Sequence, residues 1–164
     1  MILSFVPRGL ACVALVLLGV VPSAAQNSGR FNLGAGAAIQ RDDAKETLLG
    51  FRVDAGVPIG GRLLAVGQVD VTRQFDKHYD TTNILGGVRL AAGGRISVFG
   101  QFLAGVNRSR GIQSMAYAPG GGVDVWIARH LAIRAQADFP WLRYKGISFR
   151  HQWYTIGAVI SFSE

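Results

Sequence analysis

Residues Pro119 to Arg143, PGGGVDVWIARHLAIRAQADFPWLR, decide how the chain is read. Val123, Val125 and Ile127 alternate with Asp124, and the alternation resumes after Ala128-Arg129-His130 as Leu131, Ile133, Ala135, Ala137 and Phe139. Arg134, Gln136 and Asp138 fill the other face. Strict period two means extended strands, because successive side chains point to opposite faces. The stretch is therefore a β-hairpin with one apolar and one polar face. In a soluble sandwich the apolar face would cover a core. In a membrane barrel it meets lipid, and the polar face fills the lumen.

Working outward, the same alternation returns along the chain. Phe31, Leu33, Ala35, Ala37 and Ile39 mark a strand over Arg30 to Gln40. Leu49, Phe51, Val53, Ala55, Val57 and Ile59 mark a second, closed by Gly60-Gly61, a dipeptide suited to tight hairpins. The third, Leu63 to Thr72, is less regular, since Leu64 and Val66 fall on its polar side. Strands four and five, Asn83 to Ala91 and Arg95 to Asn107, flank a turn at Ala92-Gly93-Gly94. The hairpin supplies strands six and seven, and Trp153 to Phe162 is the eighth.

Connections after strands two, four and six are short. Those after one, three, five and seven, including Arg108 to Ser114 and Tyr144 to His151, read as longer charged loops. Transmembrane barrels of the bacterial outer membrane segregate short periplasmic turns from longer external loops in this way, with an even number of strands of about ten residues. The fold class expected is all-β: an eight-stranded antiparallel up-and-down transmembrane β-barrel. Phe31, Tyr117, Phe139, Trp141, Tyr154 and Phe162 lie near strand ends, where interfacial aromatic girdles belong.

The 164 residues suffice for one domain. Arg8 precedes an apolar run, Leu10 to Val21, that is too short to span as a helix, and small residues follow. The pattern is that of a Gram-negative secretory signal peptide, residues 1–25, leaving a barrel domain over 26–164. Cys12 lies in that signal without a lipobox, so the exported chain carries no thiol, disulfide or lipid anchor. The formal charge of +7 falls to +6 without Arg8. For an exported chain the polyanion met first is phosphorylated lipid, not nucleic acid.

Ile84-Leu85-Gly86-Gly87-Val88-Arg89, Val98-Phe99-Gly100-Gln101 and Gly120-Gly121-Gly122-Val123-Asp124-Val125 through Ala132-Ile133-Arg134 resemble the outer-membrane β-barrel domain family, the small eight-stranded bacterial outer-membrane proteins. The resemblance implies fold and outer-membrane location, and insertion by the barrel assembly machinery; it carries no activity. One departure is that Ser163 and Glu164 follow Phe162, where such proteins often end on an aromatic residue.

Searches for chemistry return little. His78 with Asp76 or Asp80 lacks metal-site spacing, and His130 falls at the opposite end from His78 and His151. Ser109 or Ser148 with His151 would be needed for a lipid-modifying barrel enzyme, yet no Gly-x-Ser-x-Gly elbow exists. The glycine clusters lack the Gly-Lys-Ser/Thr of a phosphate loop. No catalysis, cofactor or metal is expected. A soluble exported barrel of lipocalin type would need the inverse pattern, apolar inside. The expected role is structural or surface-interacting, in a monomer whose external Arg108, Arg110, Arg143, Lys145 and Arg150 contact phosphates of outer-membrane lipid, including lipopolysaccharide. Inside, Arg52, Arg89 and Arg134 should pair with Asp54, Asp70, Asp124 and Asp138 to plug the lumen.

Overall fold

A computed structural model describes residues 30–42, 47–74 and 79–162. The expected signal peptide, Asp76, His78 and the final Ser163-Glu164 lie outside the described residues. Among the described residues nine strands appear: β1 (Phe31–Asp42), β2 (Thr47–Gly60), β3 (Leu63–Gln74), β4 (Tyr79–Gly93), β5 (Ile96–Ser109), β6 (Ile112–Ala128), β7 (Leu131–Asp138), β8 (Trp141–Tyr144) and β9 (Ile147–Phe162). Every pairing is antiparallel, consecutive strands pair except β7 with β8, and β1 pairs with β9 to close the sheet. Closure removes both edges, so no backbone row is left unpaired.

Eight staves, not nine, make the wall. Both β7 and β8 lie between β6 and β9 and together occupy one stave. The interruption falls at Phe139-Pro140, where proline has no N–H to give the ladder.

The alternation resolves as inside and outside. Val53, Ile84, Phe102, Ile133 and Ile156 are exposed on the outer face, while Arg52, Gln68, Asn83, Gln101 and Gln136 are buried within. This polarity is that of a membrane barrel and the reverse of a soluble one. The aromatic residues noted near strand ends are all outward, and Phe31 and Phe162 meet at 5.8 Å where the barrel closes. Leu64 and Val66, irregular in the sequence, point inward. They join Leu85, Leu103, Ala116, Ala118, Leu142 and Trp153 in an apolar plug layer. A smaller cluster of Trp126, Ala132 and Val159 fills the lumen towards the chain-end rim.

The loops need correction. Arg108 to Ser114 and Tyr144 to His151 are not long loops: β5 runs to Ser109 and β6 starts at Ile112, while β8 runs to Tyr144 and β9 starts at Ile147. Each hairpin turns on two residues, Arg110-Gly111 (φ 50° and 76°) and Lys145-Gly146 (φ 46° and 86°). Two successive positive φ values are those of a type I′ turn, whose twist matches that of the strands. The first two external connections are shorter than expected as well, because β1 reaches Asp42 and β3 reaches Gln74.

Candidate functional site: a charged lumen and a basic rim

The lumen network is assembled by strand parity. Arg134 and Asp124 are direct cross-strand partners on β7 and β6, both inward. Arg134 donates from Nε to Asp124 Oδ1 at 2.7 Å and from Nη2 to Oδ2 at 2.8 Å, a two-pronged contact suited to a planar guanidinium. Its Nη1 reaches across to Asp54 Oδ2 at 2.7 Å. Arg89 Nη1 donates to the same oxygen at 3.0 Å. Arg52 pairs through Nε with Asp70, its neighbour in register, and through Nη1 with Asp138 Oδ2 at 2.6 Å.

Gln101 links the two halves. Its Nε2 donates to Asp138 Oδ1 and its Oε1 accepts from Arg89 Nε, each at 2.9 Å. The chain of contacts therefore runs unbroken from Asp70 through Arg52, Asp138, Gln101, Arg89, Asp54 and Arg134 to Asp124. Gln68 donates to Asp70 and Gln136 to Asp138, at 2.9 and 2.8 Å. The Phe99 ring lies 4.6 and 4.8 Å from the guanidinium carbons of Arg89 and Arg134, so its π face attracts both cations.

Glycine makes the room. A Cβ at Gly122 would sit 2.7 Å from the Phe99 ring, and one at Gly120 would collide with the Asp138 carboxylate. These two members of the glycine triplet hold backbone back from the network. Nearer the external end the interior is polar: Thr72 Oγ1 donates to Gln40 Oε1 at 3.1 Å, and Gln40 Nε2 meets His151 Nδ1 at 2.9 Å. Neither this layer nor the Gln101 link was anticipated from sequence.

On the outside, Arg108, Arg143 and Arg150 project from β5, β8 and β9 and are exposed. Register places Tyr117 beside Trp141 and Trp141 beside Arg150; in the next row Met115 is beside Arg143 and Arg143 beside Ser148. Arg110 and Lys145 stand at the turn tips, above this surface. Two further arginines missed in the sequence complete the ring: Arg41 on β1 and Arg73 on β3 are also exposed and outward. They were hidden among what read as loop charges. Arg73 Nε lies 3.5 Å from Asp80 Oδ1 in an exposed pair, a class of contact of little energetic worth.

The pairing of Ser148 with His151 does not converge. Ser148 and His151 are an odd number of residues apart on β9 and therefore on opposite faces. Ser109 Oγ shares a hydrogen bond with Thr81 Oγ1 at 2.9 Å. His130 Nδ1 sits 3.1 Å from the Ser161 carbonyl at the chain-end rim. Among the described residues no cluster of three metal-ligating side chains occurs.

A closed wall of eight staves, apolar outside and salt-bridged inside, has clear structural counterparts. This is the fold of the small outer-membrane β-barrels. Neisserial surface protein A aligns with a TM-score of 0.69 at 12% identity, covering 82% of this chain and 97% of that one. OprG from Pseudomonas aeruginosa aligns at 0.67 with 9% identity, over 85% and 100%. Ail of Yersinia pestis, in complex with the heparin analogue sucrose octasulfate, aligns at 0.55 with 15% identity, over 81% and 97%. No protein-family model matches the sequence, and no curated protein matches it. With its apolar outer face, the barrel is an outer-membrane protein.

Proposed function

We propose that the barrel is a non-catalytic surface protein whose external rim binds the phosphates of outer-leaflet lipid. The observation that carries this is the outward placement of Arg41, Arg73, Arg108 and Arg143, one on each stave that runs outward, each two residues beyond the last outward apolar side chain. Arg150 adds a fifth beside Trp141. Guanidinium groups bind phosphate through paired N–H donors, and aromatic side chains favour the headgroup level. Arg110 and Lys145 extend the positive surface past the bilayer. The complex of Ail, a barrel of the same fold, with a sulfated heparin analogue supports a polyanion as the class of ligand.

The test is lipid A against enzymatically dephosphorylated lipid A in detergent micelles. Arg108→Gln/Arg143→Gln/Arg150→Gln should bind lipid A at least about tenfold more weakly, near the level of the dephosphorylated lipid, given about 1 kcal/mol for each cation near an anionic surface. Equal binding of both lipids by the unmutated protein would refute the reading.

A further inference from the structure

A second ring of arginines lies at the other rim, where β1 begins, β9 ends and all three connecting turns have two residues; such barrels keep their short turns at the periplasmic end. Each of its hairpin turns has two residues, and each holds one arginine: Gly61-Arg62, Gly94-Arg95 and Arg129-His130. Arg30, just before β1, is the fourth, and its Nη1 donates to the Arg129 carbonyl at 3.1 Å, tying the start of β1 to the β6–β7 turn. The surrounding segments 30–36, 56–66, 88–98, 126–132 and 157–162 contain no aspartate or glutamate. Among the described residues none of these four guanidinium groups has an acidic partner.

The two rings are in step. The four outgoing staves are bracketed by Arg30 and Arg41, Arg62 and Arg73, Arg95 and Arg108, and Arg129 and Arg143. Between the brackets the outward residues are apolar or glycine throughout, as in Leu63, Ala65, Gly67, Val69 and Val71 on β3. The first two brackets span eleven residues and the third thirteen. At about 3.3 Å per residue and a tilt of about 40°, those spans rise roughly 28–33 Å along the barrel axis. That matches a hydrocarbon core of about 30 Å, so each arginine ring sits at one headgroup level.

We propose that Arg30, Arg62, Arg95 and Arg129 form a second lipid site, binding the phosphates of anionic glycerophospholipids in the periplasmic leaflet. The two rings together fix the depth of the barrel in the bilayer. The occupant is a lipid headgroup because the ring lies flush with the apolar belt: Phe31, Leu63 and Ile96 each directly follow an arginine. Four cations with no acidic partner among the described residues complement a phosphate surface. This site stands apart from the external one and is tested by different substitutions.

The test uses the protein extracted from bacterial outer membranes and reconstituted in phosphatidylcholine vesicles, with spin-labelled phosphatidylglycerol as probe and spin-labelled phosphatidylcholine as reference. The unmutated barrel should immobilise the anionic lipid preferentially. In Arg62→Gln/Arg95→Gln/Arg129→Gln that preference should fall at least about twofold, and in the matching Arg→Lys triple variant it should be retained. Heat-dependent gel migration verifies folding. If the triple variant does not fold, Arg95→Gln and Arg129→Gln singly should each lower the preference. Unchanged preference in a folded Gln variant overturns the proposal. An external Arg41→Gln/Arg108→Gln/Arg143→Gln variant read in parallel separates the two rims: loss there alone would leave the outer-leaflet site standing and remove this one.

Discussion

Arg134 and Asp124 face each other across the β6–β7 hairpin as direct register partners and are joined by two hydrogen bonds of 2.7 and 2.8 Å. Both are buried, so each charge depends on the other for its solvation. Arg134→Ala strands Asp124 and weakens the hold on Asp54. It should cost roughly 3–5 kcal/mol in reversible urea unfolding from lipid vesicles. Asp124→Asn should cost less, about 1–3 kcal/mol, because Arg134 keeps Asp54. Equal stability of Arg134→Ala and the unmutated barrel would show the pair to be energetically idle.

Gln101 should transmit the effect of one half of the lumen to the other. Among the described residues it alone hydrogen-bonds both Asp138, held by Arg52, and Arg89, held by Asp54. A double-mutant cycle between Arg52→Ala and Arg134→Ala should give a coupling above about 0.5 kcal/mol. Repeated in a Gln101→Leu background, the coupling should vanish. Persistent coupling would mean that the two halves communicate through the wall instead.

The sequence shows some of this and hides the rest for physical reasons. Asp124 and Arg134 share a face because strand parity survives a two-residue turn, and alternation alone reveals that. Parity equally turns Leu64 and Val66 inward, where they pack an apolar layer beside the charged one. The strand extensions carry no such signal. Around Gln113-Ser114 and Ser148-Phe149-Arg150 the hairpins run beyond the apolar belt, so no apolar face is required and period two fades. Charge clusters then imitate loops. Gln101 is one inward amide among several, and its linking role depends on three-dimensional reach that spacing does not encode.

The triplet Gly120-Gly121-Gly122 should resist even the smallest side chain. At Gly122 an added methyl meets the Phe99 ring at 2.7 Å and the backbone carbonyl of Ala135 as well. Backbone cannot yield cheaply inside a closed sheet. Gly122→Ala should therefore destabilise by about 1–3 kcal/mol, the usual cost of overpacking. Gly67→Ala, where a Cβ meets nothing within 4 Å, is the control and should be near neutral in the same unfolding assay.

Lys145 adopts φ 46° at the first position of its turn, a region costly for side chains other than asparagine, aspartate or glycine. The following Gly146 already suits a type I′ turn. Lys145→Asn should stabilise the barrel by about 0.5–1 kcal/mol, reduced by loss of the ammonium contact with Tyr144 at 5.5 Å. A lower unfolding midpoint for Lys145→Asn would show that the Tyr144 contact outweighs backbone relief.

The lumen should not conduct. Eight staves enclose a space just wide enough for side chains, and here buried side chains occupy most of it. Trp126, Ala132 and Val159 fill the end nearer the chain termini, the arginine–aspartate network fills the middle, and Trp153 with Leu64 and Leu103 packs alongside. An ion on the axis would have to break paired buried charges, which costs several kcal/mol per group. In planar bilayers the unmutated barrel should give no steady single-channel current. Arg134→Ala/Phe99→Ala removes a guanidinium and the ring stacked on it, and should admit small, flickering currents. Large steady conductance from the unmutated protein would refute the plug and turn the network into the lining of a hydrated pore.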